Sequence, residues 1–137
     1  MKKLSFLIVI LSFSFFAKAQ DKRWKLLFKD DTSKTYVDTE RTQKVSYIAE
    51  HINVLIIWIR VLPNPSQQDG QGQQTDEKMA LDVANNQLAV MSFIVRRDGK
   101  IITQSQIKYP NWSDIYPETT GETLLKYGKS YLKSLGN

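Results

Sequence analysis

With one histidine, His51, and no cysteine, the chain has few ways to build a nucleophile or a metal centre. A zinc site needs several imidazole or thiolate ligands, and a cysteine nucleophile needs a thiol. A serine nucleophile needs a base, and His51 sits in "AEHIN" with no G-x-S-x-G segment anywhere. Carboxylates are the remaining catalytic inventory. Asp30 with Asp31 and Asp76 with Glu77 are adjacent acids of the kind a hydrolase uses in pairs, although adjacent acids in turns are ordinarily solvated. No Gly-rich phosphate loop is present, so no nucleotide cofactor is indicated, and the expectation is a non-enzyme without cofactor or metal. Chemistry of recognition is better supplied. Arg96, Arg97 and Lys100 gather cations around "RRDGK", and Trp112 stands alone in a loop, so these four are the candidate binding residues. Cations at a hairpin tip are also ordinary solvated surface, and that is the favoured reading of the tip.

These side chains must be held by strands. Trp24–Phe28 and Thr35–Val37 flank the turn-rich "KDDTSK" and read as a first hairpin. Val45–Ile48 is a further short strand. Val54–Leu62, "VLIIWIRVL", has no polar face before Arg60 and reads as a central strand covered on both sides, with Val54, Ile56 and Trp58 on one face and Leu55, Ile57 and Ile59 on the other. Trp58 is expected in the core and Trp112 exposed. Residues 63–77, "PNPSQQDGQGQQTDE", are poor in apolar side chains and read as a flexible loop. Met79–Ala84, Leu88–Val95 and Ile101–Ile107 are the next strands. Asp98-Gly99 predicts a type I′ hairpin in which Arg97 faces Lys100, Arg96 faces Ile101 and Val95 faces Ile102.

Thr119 and Glu122 have the spacing of a capping box, so a helix should start there. Leu124, Gly128, Tyr131 and Leu135, with Leu125 and Leu132 beside them, form one apolar stripe, while Lys126, Lys129 and Lys133 point elsewhere. Glycine inside a helix is unfavourable by about 1 kcal/mol relative to alanine, which makes sense at Gly128 if the helix must approach the sheet closely.

The first 19 residues read as a cleaved secretory signal: Lys2 and Lys3, an uncharged and mostly apolar run from Leu4 to Phe16, then Ala17-Lys18-Ala19. The run is shorter than the ~20 residues needed to span a bilayer, so no transmembrane segment is expected after cleavage. The formal charge of +5 falls to +2 once the three signal lysines leave, and a balance that close to neutral argues against nucleic acid as a partner. Without a cysteine there is no lipid-anchored form and no disulfide, so the core alone must hold residues 20–137 together. The expected location is periplasmic, secreted or at the cell surface.

"WSDIYPETTGETLLKYG", preceded by "ALDVANN" and "RRDGKII", resembles the surface-adhesin E-like family over about Trp24–Tyr131, most distinctively over Leu81–Tyr127. The resemblance implies an α+β fold: an antiparallel sheet of about six strands with a C-terminal helix packed on it, in some members paired as a homodimer. It also implies binding to a protein partner of the extracellular-matrix type, such as laminin or vitronectin. Family members commonly carry a cysteine after the strand aspartate and another in the terminal helix. Val83 follows Asp82 here, and the helical counterpart is Gly128 or a neighbour. The functional expectation is an exported, non-catalytic, adhesin-like binding domain. The alternatives are a periplasmic accessory or envelope component without a host ligand and, third, a small hydrolase using paired carboxylates.

Overall fold

A computed structural model describes residues 23–64 and 72–136. The proposed signal peptide lies outside the described residues. The described residues form one antiparallel sheet of eight strands and one C-terminal helix, so the strand count exceeds the expected six. Six strands, β1 (Trp24–Lys29), β2 (Ser33–Asp38), β4 (His51–Pro63), β5 (Gln73–Asp82), β6 (Gln87–Arg97) and β7 (Lys100–Gln106), follow one another across the sheet. The two extra strands are β3 (Gln43–Ile48), which pairs with β4, and the two-residue β8 (Ser113–Asp114), which pairs with β6.

Strand β4 is long enough to hold two partners on one edge. β2 pairs with its Ile59–Pro63 end and β3 with its His51–Ile56 end, so the connection from Asp38 to Thr42 bridges the gap between them. Its other edge pairs with β5 from Leu55 to Val61. The expected 63–77 loop is corrected at its two ends, where Pro63 belongs to β4 and residues 73–77 belong to β5, and its residues 65–71 lie outside the described residues. A sequence rich in Gln, Thr and Asp forms strand here because β6 pairs with all of it and β4 with it from Thr75 onward, and because its polar side chains find partners on the sheet face.

The alternation expected for β4 holds. Leu55, Ile57 and Ile59, with Met79 and Leu81 of β5, form the main core under the helix α1 (Thr120–Leu135), which contributes Leu124 and Leu125. Leu135, expected in the apolar stripe, is exposed because it lies in the last turn, beyond the residues that pack on the core. The helix starts where the capping box placed it, with Thr119 as N-cap and its hydroxyl accepting from the Glu122 N–H. The carboxylate of Glu122 reaches back to the N–H of Glu118.

Gly128 is buried against the sheet. A Cβ built there would lie 2.5 Å from Leu81 Cδ2 and 3.1 Å from Val83 Cγ2, so only glycine lets the helix dock at this depth. The Asp98-Gly99 turn has the positive φ values of a type I′ hairpin, 51° and 77°, and pairs Arg97 with Lys100 and Arg96 with Ile101 as expected. One step further the register shifts, and Val95 pairs with Thr103 in place of Ile102. Ile102 is the extra residue of a β-bulge, which the turn alone does not encode.

Candidate functional site

The helix covers one face of the sheet. On the other, β4 presents Val54, Ile56, Trp58 and Arg60 in succession, and this face divides into two halves.

The first half is closed. Val54, Ile56 and Ala80 are covered by Val45, Ile48, Met91 and Trp112. Trp112 stacks on His51, with ring centroids 3.8 Å apart and planes inclined by 21°. His51 Nδ1 lies 2.6 Å from a carboxylate oxygen of Asp82, which is 1% exposed and also accepts the backbone and side-chain N–H of Asn85. Burial alone would raise the Asp82 pKa. The Asn85 and His51 hydrogen bonds outweigh it and hold the carboxyl below its ordinary value. Trp112, expected to be exposed, is therefore part of a lid, and its indole N–H is buried without a partner among the described residues.

The second half is an open groove of about 300 Å³, lined by Arg23, Trp24, Arg41, Trp58, Arg60, Gln74, Asp76, Ile94 and Arg96. Trp58 and Ile94 also border an adjoining depression with Lys78, Ser92, Gln104 and Gln106. Trp58, expected in the core, is thus half-buried at the junction of two grooves. The Arg41 guanidinium sits 5.5 Å from its ring centroid, and the Arg60 guanidinium 4.0 Å from that of Trp24. At these separations the cations are attracted to the negative ring faces.

Two buried carboxylates fix the arginines. Asp76 accepts from Arg60 Nε at 2.7 Å, and also from Arg96 and from the Gln74 amide. Asp38, fully buried, accepts from Arg23 Nε at 2.8 Å and from the backbone N–H of Glu40 and Arg41, with the Arg41 guanidinium at 3.6 Å. For both acids burial pushes the pKa up, and the guanidinium hydrogen bonds and charges more than reverse it, so both stay ionised below the ordinary carboxylate range. The next residue of the bridging loop is pinned from the opposite side. Thr42 donates to the Asp38 carbonyl, shares a hydrogen bond with the Tyr127 hydroxyl, and accepts at its carbonyl from Tyr131. Two helix tyrosines thereby set the loop that aims Arg41 over Trp58.

Only one of the four candidate binding residues belongs to this groove. Arg96 lines it, while Arg97 and Lys100 are exposed at the hairpin tip. Trp112 precedes β8, which pairs with the Gln87–Leu88 end of β6, and a strand rise of about 3.3 Å per residue puts roughly 25 Å between it and Arg96. The four do not form one surface. The acid pairs are separated as well. Asp76 faces the groove, and Glu77, its successor in a strand, faces the opposite side, where burial raises its pKa. Asp30 accepts from the Thr32 and Ser33 N–H groups in a turn, and Asp31 is exposed. Among the described residues no group of three or more His, Asp or Glu side chains is placed to hold a metal ion, and no helix is long and apolar enough to cross a membrane.

Sequence reasoning missed Arg23, Arg41, Arg60 and Asp76 as partners. Arg60 carried the one available signal, a charge inside the most apolar strand of the chain. Comparison with known protein families, with curated proteins and with solved structures finds no match for this chain.

Proposed function

We propose that the protein is an exported, non-catalytic binding domain, adhesin E-like, that engages a protein ligand at or outside a bacterial envelope. The observation that carries the reading is the half of the sheet face that the described residues leave uncovered, where two tryptophans and four arginines line one groove. Tryptophan and arginine are the residues that most often dominate binding energy at interfaces, and here the arginines are already oriented before a ligand arrives. The acids in this groove accept hydrogen bonds from guanidinium groups, which suits them to position cations rather than to shuttle protons.

The family reading draws support from the helix packing. Val83 and Gly128, which stand near where family members carry cysteines, are neighbours across the helix–sheet contact.

The test has two parts. Producing cells are fractionated and treated with protease while intact, and the mature chain is then assayed against immobilised extracellular-matrix proteins. Surface exposure or release, with saturable binding that Trp58→Ala weakens, is the expected result. Complete retention in the periplasm replaces host adhesion with the accessory-component reading.

A further inference from the structure

We infer that the open groove binds an acidic polypeptide segment, with Arg41 and Arg96 taking its carboxylates and Trp58 and Ile94 its apolar side chains; this rests on the binding reading above.

The charge balance gives the sign. Among the described residues, the groove and its immediate rim carry Arg23, Arg41, Arg60, Arg96 and Lys78 against Asp38, Glu40 and Asp76, a surplus of cations. Hydrogen-bonding capacity gives the position. Arg60 spends Nε and a terminal nitrogen on Asp76, whereas Arg96 gives Asp76 one terminal nitrogen. Arg41 is the least committed, 54% exposed and held to Asp38 only at 3.6 Å. A guanidinium has five donors, so Arg41 and Arg96 keep donors that no described residue takes up, available to a ligand carboxylate, which binds such a fork in two places at once.

The lining argues for a polypeptide over a sulfated glycan. The internal carboxylates leave a modest surplus of charge, too little for a densely anionic chain. The Trp24 ring that a sugar would stack on already carries the Arg60 guanidinium at 4.0 Å. The glutamine amides of Gln74, Gln104 and Gln106 and the apolar edges of Trp58 and Ile94 suit a chain with mixed acidic and apolar side chains.

The experiment is a titration of the mature chain, followed by tryptophan fluorescence, with a synthetic Glu/Leu peptide, its Gln/Leu counterpart and a sulfated oligosaccharide. The Glu/Leu peptide is expected to bind at least about tenfold tighter than the Gln/Leu peptide, as loss of one charge-assisted hydrogen bond dictates. Arg41→Gln should weaken it by about tenfold with an unchanged melting curve, while Arg97→Gln and Lys100→Gln leave it unchanged. Equal binding of the two peptides, preference for the oligosaccharide, or sensitivity to Arg97 in place of Arg41 overturns the inference. Matrix-protein binding that Trp58→Ala weakens and Arg41→Gln leaves intact overturns it too, yet keeps the binding reading. Absence of binding to every probe and every matrix protein removes both.

Discussion

The two faces of strand β4 solve the same problem with different materials. On the helix side, Leu55, Ile57 and Ile59 meet Leu124 and Leu125 in an aliphatic core, and Gly128 lets the helix close on Leu81 and Val83. On the other side only Val54 and Ile56 are capped, by Trp112 and its neighbours, and beyond them Trp58 and Arg60 face a groove. The first face derives stability from area removed from water, roughly 25 cal/mol per Å² of apolar surface. The second relies on hydrogen-bonded charges, whose net contribution is smaller because each must be desolvated first. A protein can therefore leave the second face uncovered at little cost to its fold.

Truncation should expose this asymmetry most plainly. Leu81→Ala removes a fully buried side chain beneath the helix and should destabilise by about 2–5 kcal/mol. Trp58→Ala, which deletes a larger but half-buried ring, should cost markedly less, and denaturant melts of the two variants test the comparison directly. Equal losses would mean that the open face belongs to the core.

Removing a keystone acid comes next. Asp38→Ala strips the anchor from Arg23 and from the Arg41 loop and should cost about 2–4 kcal/mol. It should also change the acid limb of the stability profile. Asp38, Asp76 and Asp82 all have folded-state pKa values below the ordinary 3.8. Their contribution is complete above that value and is lost as pH falls through the depressed folded values, so wild-type stability should drop as pH is lowered below about 4. The variant should show a shallower decline, measured by chemical denaturation at a series of pH values.

His51→Ala tests the closed half of the face. It deletes the ring on which Trp112 stacks and one hydrogen bond to buried Asp82, and should cost about 1–2 kcal/mol with a red-shifted tryptophan emission.

The smallest effect is a gain. Ala49 and Glu50 form the β3–β4 turn with φ of 43° and 75°, a conformation that Asn and Gly adopt more readily. Ala49→Asn with Glu50→Gly should raise stability by about 0.5–1 kcal/mol, read as a higher midpoint of denaturation.

The turn at Ala49-Glu50 also shows how far the sequence was legible. Asp98-Gly99 could be read from its residues because they suit positive φ, whereas Ala49-Glu50 could not, since the paired strands impose the conformation on residues that do not favour it. The helix start, the faces of β4 and the special need for glycine at 128 were legible for the same reason, since each rests on neighbours in sequence or on a fixed period. The groove was not. Arg23 and Arg96 lie more than seventy positions apart, and only the strand order β1-β2-β4-β5-β6 brings them to one face. Residues 73–77 looked like loop because their side chains are polar, and became strand because an ion-pair network on one face gives Asp76 partners.

The sequence by itself determined the kind of molecule: a β-rich chain with one amphipathic C-terminal helix, a central strand with two apolar faces, and no thiol or histidine cluster on which to build a reactive centre. Tertiary structure alone decided which charges meet. Periodicity and turn chemistry act over a few residues and are written locally, but pairing a guanidinium with a distant buried carboxylate depends on register and bulges. These are fixed only when the whole sheet closes its hydrogen bonds and the helix covers one side of it.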